Sequence, residues 1–398
     1  MTHTLQPDWL QWKETQRLLA AFFAEPDAIR FVGGCVRDSL AGHAVVDIDL
    51  ATLHHPDRTQ KLLEQAGIKA IPTGIEHGTV TALIGEKKFE ITTLRKDEYC
   101  DGRHAQVVFS QSWEEDAARR DFTINALSLS PAGELFDYHD GLSDLRAGCV
   151  RFIGQADLRI QEDYLRILRF FRFYARFGQG AADAQALHAC QVWASHLSHL
   201  SGERIQQELF KLLDVPACVS AFELMRTHHI LFHALGIEIF DCQVLARMEG
   251  LNFHVKFAAL LYATAKPLAA LERVVERLKL SNAMHRMLRV LLSHIEPLQQ
   301  AEGERAQKQL LRKLGKEAFL ELLALSEAVH ENRQDKARTI AEHWDIPLLP
   351  IKGEDLIAAG YHQGKTLGRR MHQLEQEWEE SDYTLSQQQL IARAKELL

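Results

Sequence analysis

The period of apolar and polar positions changes along the chain, and the changes divide it. Residues 8 to 24 place Trp9, Leu10, Trp12, Leu18, Leu19, Phe22 and Phe23 on one side of a 3.6-residue repeat, which predicts an amphipathic helix. From Ile29 to about Leu129 the texture turns to short β-rich runs, IRFVGG, VVDIDLAT, TVTALIG, KKFEITTLR, AQVVF and NALSLS, with a helix expected at 57 to 66. The stretch LFDYHDGLSDLRAG, Leu135 to Gly148, is turn-rich and reads as a connector. Beyond Asp157 nearly every segment has helical texture, from QEDYLRILRFFRFYARFG through GERIQQELFKLL and LERVVERLKL to the last residues. Within it the PLLP run at Pro347–Pro350, with Gly353 soon after, marks a late break. The expected fold is α+β: a mixed α/β module, then an all-helical remainder.

The run VVDIDLAT interrupts its apolar pattern with Asp47 and Asp49 at i and i+2. Side chains on a strand alternate with period two, so both carboxylates face the same way. Two like charges so close destabilise each other unless a cation sits between them. Hard oxygen donors of this kind suit Mg2+, which keeps phosphate oxygens as further ligands. A solvated strand edge is the competing reading for an isolated pair. Here the pair follows Gly33 and Gly34, where missing Cβ atoms let backbone N–H groups approach phosphates, and Arg37. Glu90, in KKFEITTL, is a candidate third carboxylate or a surface glutamate.

Composition narrows the class. A chain of 398 residues is too long for one ordinary core, and 46% hydrophobic with 25% charged residues is the balance of a folded globular protein. The net charge of −8 argues against a coat for nucleic acid, so any RNA site must be a local basic patch. Six cysteines without CxxC or metal-like spacing fit reduced thiols, and the N-terminus lacks a basic leader. No apolar run of about 18 residues occurs, so a cytoplasmic protein with no membrane span is expected.

Two further constellations carry chemistry. In RRDFTINA, Arg119 and Arg120 can bind a triphosphate while Asp121 takes a ribose hydroxyl, with Thr123 and Asn125 as polar neighbours. A helix-start salt bridge capped by Asp121 is the alternative. In EDYLRILRFFRFYARFG the apolar positions nearly surround a helix, yet Arg166, Arg169, Arg172 and Arg176 recur at spacings of three and four. A buried helix keeps four arginines only if anions meet them. Asp163 and Arg166, at i and i+3, offer one acceptor and one donor. Cytosine and adenine each present an amino donor beside a ring-nitrogen acceptor, which that pair matches; uracil and guanine present the reverse. An ordinary intrahelical salt bridge is the competing reading.

In this order, the constellations resemble the class II tRNA nucleotidyltransferase and bacterial poly(A) polymerase family, of the polymerase-β nucleotidyltransferase superfamily. The resemblance runs from about Ile29 to Leu213. GGCVRDSLAG with DID looks like the first family motif. It implies Asp47 and Asp49 as the catalytic Mg2+ ligands, with Gly33, Gly34 and Arg37 along the triphosphate. Arg119, Arg120 and Asp121 look like the second motif, with Asn125 beside them. Asp137 and Gly141 in DYHDGLSDL look like a hinge motif. EDYLR looks like the fourth, in which Asp163 and Arg166, with Arg169 beyond, select the incoming CTP or ATP. Glu203 and Arg204 in GERIQQELFKLL look like the fifth, which buttresses the selecting helix.

The resemblance implies a nucleotidyltransferase head at 1–135, a helical neck at 136–213, a body at 214–300 and a tRNA-binding tail at 301–398. The implied activity is template-independent addition of C, C and A to tRNA 3′ ends from CTP and ATP, with Mg2+, release of pyrophosphate and no protein partner. RKDEYCDGRHAQVVF, Arg95 to Phe109, occupies the place of a flexible loop that in CCA-adding relatives helps the site switch from CTP to ATP; Arg95, Lys96, Asp97 and Arg103 supply its charge. The absence of a GRRFRL-like stretch after the first motif favours tRNA over poly(A) synthesis. His139-Asp140 is the only HD pair, falls in the hinge motif and predicts no phosphatase. Candidate tRNA contacts are Arg273, Arg277, Lys279, Arg286 and Arg289, then Arg305, Lys308, Arg312, Lys313 and Lys316. Rival readings are a poly(A) polymerase, a CC-only or A-only relative, and an RNA-binding protein with a vestigial head.

Overall fold

The computed structural model describes residues 3–74, 78–100 and 105–396. It forms two compact units: the chain to Ala246 together with Glu272–Leu280, and Arg247–Leu271 together with the chain from Ser281.

The first unit opens with a 3-10 turn at Asp8–Gln11 and helix α1 (Lys13–Ala20). Trp9, Leu10, Leu18 and Phe22 are buried as the periodicity predicts, whereas Phe23, beyond the end of α1, is 86% exposed. Strands β1 (Ile29–Val32), β2 (Ile48–Thr52), β3 (Lys69–Gly74), β4 (Thr79–Ile84), β5 (Lys87–Thr93), β8 (Ser128–Leu129) and β9 (Leu135–Phe136) make a sheet ordered β3-β4-β5-β2-β1-β8-β9. Only the β2 and β5 pairing is parallel among them. Helix α2 (Gly34–Leu40) follows β1, and α3 (Pro56–Gln65) follows β2.

Alternation decides what the sheet presents. Ile48 and Leu50 of β2, with Phe89 and Ile91 of β5, enter a core shared with Trp9, Leu18, Phe22 and Leu63. Asp49 and Glu90, paired across the two strands, are left on the other face. Strand β3 is not among the expected strands; it lies at the sheet edge, with a register irregularity between Ile71 and Gly74, and an edge is where Pro72 is tolerated. In the segment expected to take the place of the flexible loop, AQVVF is a strand as the β texture predicts: β6 (Arg95–Cys100) pairs with β7 (Ala105–Phe109); Arg103 lies outside the described residues. The expected connector holds β9 and helix α5 (Gly141–Ala147), because the Asp137 carboxylate accepts the Gly141 and Leu142 N–H groups and so starts the helix.

Helices α4 (Trp113–Ala118), α6 (Ala156–Glu162), α7 (Arg166–Phe177), α8 (Ala184–Trp193) and α9 (Gly202–Leu213) complete the elements that build the site. The helix expected through EDYLR is broken. Asp163 is extended, its Oδ1 accepts the Leu165 N–H and its main-chain oxygen accepts the Arg166 N–H, so a capped turn separates α6 from α7. Phe122 is fully buried against Phe152, Phe170 and Phe173, which seats RRDF on α7.

The second unit is helical, from Phe253–Tyr262 and Asn282–Gln299 through Lys365–Glu380 to Gln387–Lys395. Leu356, Leu374, Trp378 and Leu390 anchor a core near its end. Residues 344–352 join helices there, which agrees with the break expected at PLLP. Among the described residues no helix is long and apolar enough to cross a membrane.

Candidate active site

Strand β1 delivers the chain to Gly33, whose φ of 67° only glycine adopts without strain. A Cβ there would stand 3.2 Å from Arg120 Nη1, so the missing side chain also admits that guanidinium. Asp49 sits beside it on β2. No hydrogen bond or ion pair holds its carboxylate among the described residues. Burial first, then the charges of Glu90 and Asp47, push its pKa from 3.8 up to about 6, and Arg120 opposes them. Glu90 is therefore a neighbour of the pair, while Asp47 is exposed just before β2 begins. The described residues hold no ready-made group of three or more metal-ligating side chains. Mg2+ characteristically uses one or two carboxylates and completes its shell with water and phosphate, so hard donors with surplus negative charge fit it.

A cavity of about 370 Å3 lies beside this face. Its wall brings together Gly33, Gly34, Arg37, Asp49, Arg119, Arg120, Asp121, Asn125, Asp163, Arg166 and Arg169, with Phe173 added. All ten residues assigned to the nucleotide from sequence thus face one space. Asp47 is not on this wall. A second cavity of about 410 Å3 shares Asp49, Arg119 and Arg120 and adds Glu90, Thr79, Thr92, Arg95 and Asp116.

The side chains form one network rather than a row of free charges. Arg37 is buried, with Nε and Nη2 on Asp38 and Nη1 on Asn125 Oδ1 at 2.5 Å. Asn125 Nδ2 donates to Asp121 Oδ1, and Asp121 Oδ2 accepts from Arg169 at 2.6 Å. Asp121 is thus wholly engaged by protein groups instead of standing free for a ribose. Burial works against its ionisation, but Arg169 and the Asn125 hydrogen bond outweigh it and hold the carboxyl below its ordinary value. The four arginines of the expected stripe all meet carboxylates: Arg166 meets Glu162 at 2.5 Å, Arg169 Asp121, Arg172 Glu208 at 2.6 Å and Arg176 Asp38 at 2.9 Å.

Asp163 and Arg166 do not pair with each other, which removes the salt-bridge reading. Asp163 Oδ2 is held by Arg204 at 2.8 Å, joining the fourth and fifth motifs. Arg166 Nη1 is taken by Glu162 and the Arg159 carbonyl, and Nη2 donates once to the Arg119 carbonyl. This leaves Nε–H and one Nη2–H as spare donors beside a carboxylate with spare lone pairs.

Besides Glu162, three further carboxylates outside the expected site residues complete the network. Asp116 binds both Arg119 and Arg120, a pattern legible from i,i+3 and i,i+4 spacing on α4. Asp38 joins Arg37 to Arg176. Glu208, buried on the apolar side of α9, has no local signal because its partners are on α7.

Several proposed tRNA contacts are tied up inside the protein. Arg277 donates to the Leu197 and Leu200 carbonyls, Arg312 is clasped by Glu375 and Glu379 at 2.6 Å each, and Lys308 by Glu304 at 2.8 Å. Arg305 and Lys316 donate to the Glu380 and Glu342 carbonyls, and Arg289 meets His285. Among the described residues Arg273, Lys279, Arg286 and Lys313 are exposed and form no ion pair.

Comparison with known proteins agrees with the geometry. A "Poly A polymerase head domain" matches residues 29–151, an RNA- and SrmB-binding site of polymerase A matches 183–235, and a tRNA nucleotidyltransferase domain 2 matches 253–390. The mitochondrial CCA tRNA nucleotidyltransferase 1 of Danio rerio is 35% identical over 92% of this chain and 86% of its own. A CCA-adding enzyme of Streptococcus pneumoniae is 42% identical over 47% of this chain and 46% of its own. The Bacillus stearothermophilus CCA-adding enzyme, solved with CTP, shares the fold with a TM-score of 0.81 at 24% identity, over 99% of this chain and 98% of that one. Motifs, fold and relatives coincide: the chain belongs to the tRNA nucleotidyltransferase/poly(A) polymerase family of nucleotidyltransferases.

Proposed function

We propose that this chain adds C, C and A in turn to the 3′ end of tRNA, using CTP and ATP, releasing pyrophosphate and needing no nucleic-acid template. The carrying observation is the single cavity in which Asp49, the Arg119 and Arg120 pair, and the Asp163 and Arg166 pair face one space. Relatives that are CCA tRNA nucleotidyltransferases by name, matched over most of their length, support the same reading.

In this reading Arg119 and Arg120 neutralise the triphosphate, and their charge counts for more in a recess than in water. Asp163 accepts the exocyclic amino group of cytosine or adenine while the spare N–H groups of Arg166 donate to the ring acceptors. Arg204 orients that carboxylate, and Glu162 and the Arg119 carbonyl orient the guanidinium. Uracil and guanine would set donor against donor and leave buried groups unpaired. Arg37 and Asp121 act one step back, by holding Asn125 and Arg169 in the wall. Asp47 and Asp49 would hold Mg2+, with Glu90 next to them. When bound, the ion supplies Lewis-acid stabilisation of the attacking 3′ oxygen and of the pyrophosphate.

We assign catalysis to the head, base selection to the neck, and tRNA contact to body and tail, with Arg273, Lys279, Arg286 and Lys313 as the candidate cations free to meet phosphate. Shape and backbone contacts must dominate, because sequence readout would reject most tRNAs. Five of the six cysteines are free among the described residues, which suits a reducing compartment, and we place the protein in the cytoplasm. Asp49→Ala tests the assignment: it should abolish incorporation while circular dichroism and the melting midpoint show an intact fold. Appreciable turnover by the folded variant refutes it.

A further inference from the structure

Asp116 belongs to no assigned group, yet it is the most heavily used carboxylate at the junction of the two cavities. It is 3% exposed, at the fourth position of α4. Its Oδ1 accepts Arg119 Nε at 2.9 Å and Nη2 at 2.7 Å, and its Oδ2 accepts Arg120 Nη2 at 3.0 Å. A fourth donor, the Arg95 main-chain N–H at 3.4 Å, ties the same carboxylate to the first residue of β6. Arg119 and Arg120 line both cavities. Without a shared counter-ion, two guanidiniums side by side would repel and swing apart. With it, Arg119 spends its Nε and Nη2 edge on Asp116, while Arg120 spends one Nη2–H on Asp116 and Nη1 on the Asn125 carbonyl at 3.3 Å; the N–H groups left over face the cavities.

We infer that Asp116 is a positioning residue for nucleotidyl transfer: it sets both guanidiniums in the geometry that meets the charge developing on the triphosphate. The inference rests on the activity proposed above. Asp116 touches no substrate and acts only through Arg119 and Arg120. Burial opposes its charge, but the two guanidiniums outweigh burial and keep it ionised. Its loss should spare ground-state attraction, since both positive charges remain and one opposing negative charge is gone. Turnover should suffer, because misplacement of a catalytic group by about 1 Å costs on the order of 100-fold.

The test compares wild type, Asp116→Asn and Asp116→Glu in steady-state CTP and ATP incorporation into tRNA, with CTP affinity measured by equilibrium binding, all well below the melting midpoints. Asp116→Asn should lower kcat by about 30- to 100-fold while the CTP Kd stays within about threefold or tightens. Asp116→Glu, which restores charge and both acceptor oxygens, should recover about tenfold of that loss. A purely structural residue would move the melting midpoint without this split between kcat and Kd. A folded Asp116→Asn with wild-type kcat, or one whose whole defect is weaker CTP binding, overturns the inference. If Asn at this position prevents folding, the Glu variant decides: wild-type kcat in folded Asp116→Glu overturns the inference, and a three- to tenfold loss at unchanged Kd supports it. A wild type that adds no nucleotide refutes the proposed activity and the inference together; an active wild type matched by its variants refutes the inference alone.

Discussion

In the proposed function Asp49 serves catalysis at a cost to the fold, and Asp49→Asn should separate the two. The carboxyl is raised from 3.8 to about 6 by burial and by Glu90 and Asp47. A rise of about 2 units at 1.36 kcal/mol each makes the ionised group cost the folded state about 3 kcal/mol. The sign follows from proton linkage: the folded chain holds a proton that the unfolded chain has released, so stability falls as pH rises from 3.8 to about 6, and the full cost persists above that. Asn is neutral at every pH and nearly the same shape. In chelator at pH 7.5 the variant should therefore be more stable by about 3 kcal/mol, and the gain should shrink below pH 6 and vanish near pH 4. Urea unfolding followed by the fluorescence of Trp9, Trp12 and Trp113 measures it, with the denaturant slope unchanged. Added Mg2+ should stabilise the wild type and leave the variant unmoved. A variant no more stable than wild type at pH 7.5, or a gain independent of pH, refutes the account of Asp49.

Other residues make separate predictions. Arg166→Ala should cut the preference for CTP and ATP over UTP and GTP by about tenfold or more, since a bidentate base contact is worth ~1–3 kcal/mol; kcat/KM ratios that still exclude UTP and GTP would contradict its role. Glu208→Gln leaves Arg169 and Arg172 short of a buried counter-charge and should cost about 3 kcal/mol in urea unfolding, whereas a loss under about 0.5 kcal/mol would mean the clamp is idle. Gly141→Ala should destabilise by ~1–3 kcal/mol, because its Cβ would lie 2.2 Å from the Thr123 carbonyl oxygen; a neutral effect on the unfolding midpoint would show that this approach can relax. Neutralising Arg273, Lys279 or Lys313 should each lower the salt dependence of tRNA binding by about one ion, and Arg312→Gln should leave that slope alone. An unchanged slope in the first three would move the tRNA surface elsewhere.

The parts legible in the sequence were those written in local spacing. Asp49 on the face opposite Ile48 and Leu50 follows from a period of two, and the buried stripe of α7 from a period of 3.6. The requirement that anions meet the four arginines was also legible, but not which anions. Glu162 was within reach of an i,i+4 argument from Arg166, but Asp121, Glu208 and Asp38 come from three other segments, and single-sequence spacing cannot place a partner from another element. The break at Asp163 escaped notice for a different reason: the apolar rhythm continues across it, and only the cap-forming chemistry of Asp marks the turn. AQVVF read as a strand and is β7, but its partner β6 and strand β3 were hidden, because edge and two-stranded ribbons need no apolar alternation. The basic helical faces were the least legible: Arg312 is clasped by Glu375 and Glu379 from another helix, which no local spacing shows, whereas the Lys308–Glu304 pair follows from i,i+4 spacing.

The central claim is ordered, untemplated C, C and A addition confined to tRNA. It is tested most directly by giving the protein all four nucleotides with Mg2+, then sequencing the 3′ ends of tRNA that began at the discriminator base and of an unrelated RNA. The account predicts tRNA ending in CCA and stopping there, with the unrelated RNA unextended. Long A tails on both RNAs, addition that halts at CC, or UMP and GMP among the added residues would contradict it.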